Sequence, residues 1–192
     1  MSRPRLSIIV GSTRPVRIGR QLADSLAARL APEVDADIQI LDLAEIALPM
    51  LDEPLMAAMG QYHNAHTRAW AEQIAESDAV IFLTPQYNAG YPAALKNAID
   101  YLHAEWKDRP SAIVSYGGHG GVASARQLRE VLEFIGLDLV DESAALTILP
   151  ADYTQDWGLA DADAVMQRHL DDVLRLGADL MGKVDGEVEQ AA

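Results

Sequence analysis

The sequence predicts an α/β protein: a doubly wound parallel sheet of five strands, with helices on both faces in three layers. Two observations carry that reading. Short apolar runs at residues 6–10, 38–41, 80–83 and 112–114 read as strands, the third of them buried on both faces. Between the runs lie loops and stretches whose apolar residues recur at helical spacing, the alternation that builds a parallel sheet with crossover helices.

Residues 6–10 are apolar except for Ser7, and the loop from Gly11 to Gly19 leads into Ile18, Leu22, Leu26 and Leu30, a helix that runs to Pro32. Ile38, Ile40 and Leu41 make the second strand, which ends near Asp42. Residues 49–61 are rich in Met, Ala and Pro without a clear period, and read as a long loop or short helical turns beside a binding edge. Trp70 and Ile74 mark the buried side of a helix over residues 65–75. The third strand stops at Thr84-Pro85, where Pro85, Asn88, Gly90 and Pro92 reverse the chain. Pro92 suits the first turn of a helix with Leu95, Ala98, Ile99 and Leu102 on one face. After the fourth strand come Tyr116-Gly117-Gly118-His119-Gly120-Gly121 and a helix with Val122, Leu128, Val131, Leu132 and Ile135 inward, C-capped by Gly136. Residues 137–140 and 144–149 supply a fifth, split strand, and residues 160–180 a last helix. Residues 1–182 are expected to form one domain and 183–192 a disordered tail.

Composition narrows the chemistry. The chain has 192 residues, 49% hydrophobic and 23% charged, which suits one soluble globular domain. It has no cysteine, so thiol catalysis, thiolate metal sites and disulfides drop out, and redox chemistry needs a bound cofactor. No apolar run reaches the ~18 residues of a spanning helix, and the N-terminus shows no signal-peptide pattern, so a cytoplasmic protein with no membrane partner is expected. A net charge of -14 argues against nucleic acid as a partner. From Asp138 onward 13 acids face three bases, either a solvated acidic helix face or a docking surface for a basic partner.

Three loops converge on one edge of such a sheet, at the carboxyl ends of its strands, where open parallel sheets bind ligands. The first, residues 11–19, sets hydroxyls and two arginines before a helix N-terminus, where unpaired N–H groups and the helix dipole favour an anion such as phosphate. It is neither a Walker loop nor G-x-G-x-x-G, and its arginines could equally be solvated residues of an ordinary helix start. The second offers amide donors and a ring from Pro85, Gln86, Tyr87, Asn88 and Gly90. In the third, Gly117 and Gly118 let main chain approach a flat heteroaromatic ligand. As structural residues, the same prolines and glycines need only make turns.

The stretches G-S-T-R-P-x-R-x-G at 11–19, P-Q-Y-N-x-G-Y-P-A-A-L-K-N-A-I-D-Y-L at 85–102 and Y-G-G-H-G-G at 116–121 together resemble the NAD(P)H-dependent FMN reductases. That family is flavodoxin-like and includes quinone, chromate and azo-dye reductases. The resemblance covers about residues 6–149. It implies bound FMN and NADPH or NADH as hydride donor. By it, Ser12, Arg14 and Arg17, with the amides around Thr13, Ile18 and Gly19, hold the FMN phosphate. Pro85, Gln86, Tyr87, Asn88 and Gly90 on one side, and Ser115, Tyr116, Gly117 and Gly118 on the other, border the isoalloxazine. Gln86 stands where many relatives have Glu. The implied mechanism is ping-pong: hydride passes from the nicotinamide to flavin N5 and then to a flavin, quinone, azo compound or oxyanion on the same stacking surface. The cofactor carries that chemistry, so no protein acid or base is named as catalytic. Backbone donors near flavin N1 would stabilise the reduced anion. Two other functions share the fold: a flavodoxin-type electron carrier without NAD(P)H turnover, and a binding module that has lost the flavin.

Several residues have readings of their own. His63 and His66 could face one way but lack a third ligand, which favours surface or capping roles over metal. Asp42 suits a turn or cap rather than a ribose contact. His119 touches substrate or stabilises its loop, and Tyr153 and Trp157 cover a ligand or pack locally. Lys96 and Asp100 can pair across one helical turn. Apolar surface around Ala94, Tyr101 and Trp106 predicts a homodimer, or a homotetramer built from it, formed through the helices at 93–102 and 122–135.

Overall fold

All seven residues of the strand β3 (Ala79–Pro85) are buried, so it has no face to give to water. Such a strand is stable only between two others, with helices above and below. In a computed structural model, which describes residues 3–191, β3 lies between β1 (Arg5–Val10) and β4 (Pro110–Gly117). Outside β1 lies β2 (Asp37–Asp42), and every pairing is parallel. The predicted split of the fifth strand is present: β5 (Asp138–Leu139) pairs with the start of β4 and β6 (Ala144–Thr147) with its end. Six strands therefore fill five positions in the order β2-β1-β3-β4-β5.

Alternation along the strands feeds two cores. Leu6, Ile8, Val10, Ile81, Leu83 and Val114 pack under α1 (Gly19–Leu30), α6 (Ala162–Gln167) and α7 (Leu170–Ala191). Ile9, Val80, Phe82 and Ile113 pack under α3 (Ala65–Ala75), α4 (Ala93–Asp100) and α5 (Val122–Phe134). Helix α5 ends in a Schellman turn: Gly136 (φ 88°) and Leu137 donate to the carbonyls of Glu133 and Leu132, the role predicted for that glycine.

Val122, expected inward, is exposed at the first position of α5, before the helix has turned its apolar side to the sheet. The structure departs from the sequence reading in four further places. A short helix α2 (Leu43–Ile46) follows β2, capped by Asp42, whose Oδ1 accepts from the Ala44 N–H at 3.0 Å. The single helix expected over 160–180 is two, α6 and α7, with Asp161 capping α6. Helix α7 continues where a disordered tail was predicted from residue 183, because Val184 is buried and Lys183 reaches Asp138 at 2.7 Å; Ala192 lies outside the described residues. The fourth departure concerns Tyr101 and Trp106, expected to leave exposed apolar surface, which are fully buried.

Trp106 sits edge-on to Trp70 at 6.3 Å and against Phe82 at 5.8 Å, and its indole N–H donates to the Ile99 carbonyl. The Tyr101 hydroxyl donates to Asp52 and to the Pro49 carbonyl, and Asn97 holds Pro49 and Leu51. The chain thus covers that surface with its own α3 and with residues 49–61. Within that segment only Ala57–Met59 forms a helical turn. Trp106→Ala is expected to cost about 3–5 kcal/mol in a urea melt. A loss under 1 kcal/mol would show that the indole is not a core element.

Candidate functional site

Register brings the loops together. Val10 lies beside Asp42 on one side and Leu83 on the other, and Pro85 lies beside Tyr116. The Gly11 N–H donates to the Leu83 carbonyl at 2.9 Å, which starts the first loop against the second. Over these strand ends opens a cavity of about 730 Å³. Its lining includes Ser12, Arg14, Arg17 and Ile18 from the first loop, Pro85, Gln86 and Tyr87 from the second, and Tyr116, Gly117 and Gly118 from the third. Pro15, Val16, Tyr153 and Trp157 complete it.

Tyr87 anchors one wall. Its hydroxyl is 2.6 Å from Ser12 Oγ, and the Arg14 guanidinium lies 5.9 Å from its ring centre. Tyr87 and Gly90 exchange both backbone hydrogen bonds around Asn88 (φ 50°) and Ala89 (φ 66°), a two-residue turn with both central residues left-handed. Asn tolerates that conformation, whereas an Ala there costs about 1–2 kcal/mol.

Tyr116 forms the floor. It is buried, and a Cβ on Gly19 would come within 2.6 Å of its hydroxyl, so a larger residue at the start of α1 would have to displace the ring. Gly121 (φ 71°) meets the same limit against the Tyr116 backbone at 2.9 Å. Burial pushes the Tyr116 phenol pKa far up, so it stays protonated even where a free tyrosine would ionise. Ser115 Oγ donates to the Gly120 carbonyl at 2.6 Å and closes the glycine loop. Gln86 has a structural partner: its Oε1 accepts from the Ala123 N–H at 3.1 Å, capping α5, whose own N-cap Gly121 has no side chain to do so.

Arg17 behaves otherwise than a solvated loop arginine. Its Nη2 is 2.5 Å from Asp42 Oδ2, with the Arg17 side chain 17% exposed and that of Asp42 fully buried. Its Nε is buried with no hydrogen-bond partner. Arg20 lies 3.7 Å from the same carboxylate and pairs more closely with Glu45 and Asp24. Asp42 therefore does two tasks, capping α2 and orienting Arg17. Sequence reasoning found the first and missed the second, which depends on parallel pairing with β1.

Of the predicted residues, Thr13, Gly19, Asn88, Gly90 and Ser115 do not line the cavity. Thr13 faces a separate space of about 290 Å³ with Leu43, Leu48 and Met50, and the other four shape the walls from behind. Tyr153 and Trp157 line it, with ring centres 6.0 Å apart. The signal for them was a Tyr and a Trp in a loop with Gly158, which says nothing of direction. His66 Nε2 lies 2.9 Å from Asp52, fastening the 49–61 segment to α3, and Lys96 pairs with Asp100 at 2.6 Å.

The profile of the NADPH-dependent FMN reductase family matches residues 4–148. An NAD(P)H-dependent FMN reductase of Schizosaccharomyces pombe is 41% identical over 169 residues, covering 87% of this chain and 84% of the relative. A quinone reductase of Pseudomonas putida is 34% identical over 142 residues, covering 69% of this chain and 71% of the relative. In fold, the oxidised flavodoxin 1 of Bacillus cereus superposes with a TM-score of 0.55 at 17% identity, over 93% of this chain and 97% of that one. The chain belongs to the NADPH-dependent FMN reductase family.

Proposed function

We propose that this chain is an FMN-dependent NAD(P)H oxidoreductase that reduces a small quinone or flavin, with the FMN in the 730 Å³ cavity and its phosphate at the Ser12–Arg17 end. The observation that carries the placement is the Arg17 Nε–H, buried without an acceptor at a loop built for an anion. A phosphate oxygen would satisfy it once the guanidinium, which lines the cavity, turns slightly toward the ligand. The residues present fit the cofactor: hydroxyl and guanidinium donors at one end, and proline, tyrosine and glycine backbone at the other. When bound, FMN supplies a hydride acceptor that can pass its electrons on to a second substrate.

The chain's own residues bind, orient and shield. Asp42 holds the Arg17 guanidinium in one direction, so its charge is ordered before phosphate arrives. Ser12 and Tyr87 fix each other across the first two loops. Tyr153 and Trp157, from the loop before α6, add aromatic rings to the wall. The glycines at 117 and 118 leave main chain open to a ring edge. A flavodoxin-type carrier would share the fold, but the family match favours turnover of NAD(P)H.

The proposal includes a cytoplasmic location, which suits a chain without cysteine, and a homodimer. Phe134 at the end of α5 is 89% exposed, while Met50, Leu51, Met56 and Met59 are exposed in the 49–61 segment. These residues, rather than Tyr101 and Trp106, are the apolar surface left for a second copy.

Three outcomes are expected. Arg17→Ala weakens FMN about ten- to a hundred-fold, since a charge-assisted bond is worth roughly 1.5–3 kcal/mol, while riboflavin binding barely changes. Because the single change strands a buried carboxylate, the same titration is made in Arg17→Ala with Asp42→Asn. Equal weakening of FMN and riboflavin in both variants would move the phosphate elsewhere. Steady-state turnover of NADPH and a quinone gives parallel double-reciprocal lines, and intersecting lines would disprove a shared stacking surface. Phe134→Glu shifts the mass measured by light scattering from dimer to monomer; an unchanged dimer would place the interface away from α5.

A further inference from the structure

A second cavity, of about 570 Å³, lies beside the first. The two share Gln86, Gly117 and Gly118 as a common wall, so anything extending from the first past that wall enters the second. The lining of the second includes His119 and Arg126 and contains no carboxylate. Arg126 is exposed on α5, one turn beyond Val122, which lines the same space. Among the described residues it has no ion-pair partner, whereas Arg129, three residues on, pairs with Glu133 at 3.4 Å. Most of the 15 basic residues of this chain are paired in that way, in a protein of net charge -14. An arginine left without a carboxylate beside a cavity is placed for an anion from outside the chain.

The shared wall keeps that charge unopposed. Gln86 is a neutral amide, and its oxygen is taken up by the Ala123 N–H, so the partition between the cavities adds no negative charge. The cations of the first cavity are otherwise engaged, Arg17 by Asp42 and Arg14 over the Tyr87 ring, at the end read above as the FMN phosphate site. A nicotinamide stacked in the first cavity must send its phosphates out through an adjoining opening. The second cavity is such an opening and carries a free cation.

We propose that Arg126, in this second cavity, binds a phosphate of the reduced nicotinamide dinucleotide. The inference rests on the functional reading above. The phosphate is either the 2′-phosphate, which only NADPH carries, or the diphosphate, which NADPH and NADH share.

The test uses the FMN-loaded protein and its Arg126→Ala and Arg126→Lys variants, with FMN content as the check on folding. Binding of the unreactive NADP+ and NAD+ is measured by calorimetry, and KM and kcat are measured with NADPH and NADH against one quinone. Arg126→Ala is expected to raise the NADP+ Kd and the NADPH KM about tenfold or more, with kcat within about twofold and part of the loss restored in Arg126→Lys. A rise for the phosphorylated nucleotide alone identifies the 2′-phosphate; an equal rise for both identifies the diphosphate. Unchanged Kd and KM for both nucleotides, or a fall in kcat alone, overturns the inference. If neither nucleotide bleaches the flavin of the unaltered protein, the functional reading fails and this inference with it. If bleaching is normal and only the Arg126 effect is missing, this inference alone falls.

Discussion

The register of β1, β3 and β4 at their carboxyl ends is the constraint on which the site depends. A slip of one residue in β3 would turn Phe82 toward α1 and Ile81 toward α4, exchanging the contents of the two cores. With both faces buried, the strand has no such freedom. Pro85 must then end beside Tyr116, and Gly11 beside Leu83, so three loops far apart in sequence open at one place. Tyr116 turns that coincidence into a floor, since its ring occupies the space that Gly19 leaves empty and its backbone the space that Gly121 leaves empty.

Charge is arranged against the average of the molecule. The chain is strongly acidic, yet one buried carboxylate, Asp42, is used to hold a cation toward the cavity. Burying an ion pair contributes little net stability, because desolvation of both groups offsets their attraction. What the pair supplies is direction. Arg17 cannot turn to solvent without leaving the buried Asp42 with only Arg20, at 3.7 Å, as a counter-charge, and its Nε stays buried without an acceptor. Arg14, over the Tyr87 ring, and Arg126 have no such carboxylate to direct them, and each lines one of the two cavities.

The acidic last third matters through its packing. Gln21 of α1 bonds the Leu159 backbone at both its N–H (2.9 Å) and its carbonyl (3.1 Å), and Ser25 donates to Asp163 at 2.5 Å. These contacts seat the loop before α6 on α1 and bring Tyr153 and Trp157 over the cavity. Val165, Met166, Val173, Leu176, Leu180 and Val184 of α6 and α7 face the sheet, while Asp171, Asp172 and Asp179 are exposed, the solvated acidic face that is one of the two readings of this charge.

The sequence by itself determined the strand and helix alternation, the three loops and the family, because each is written in local pattern: apolar runs, turn residues, and motifs contiguous along the chain. It also marked Gly136 as a cap and Asp42 as a turn or cap residue, since capping needs only neighbours. It could not show that Asp42 orients Arg17, that Gln86 caps α5, or that Thr13 turns away from the cavity. Nor could it tell that Tyr101 and Trp106 are core while Phe134 is bare. Those are decided by which elements the sheet sets side by side and by which face each helix turns inward. An aromatic residue near a helix end reads the same in sequence whether α3 covers it or water does; only the packed structure distinguishes the two, by supplying Trp70 and Phe82 as neighbours for one and leaving the other exposed.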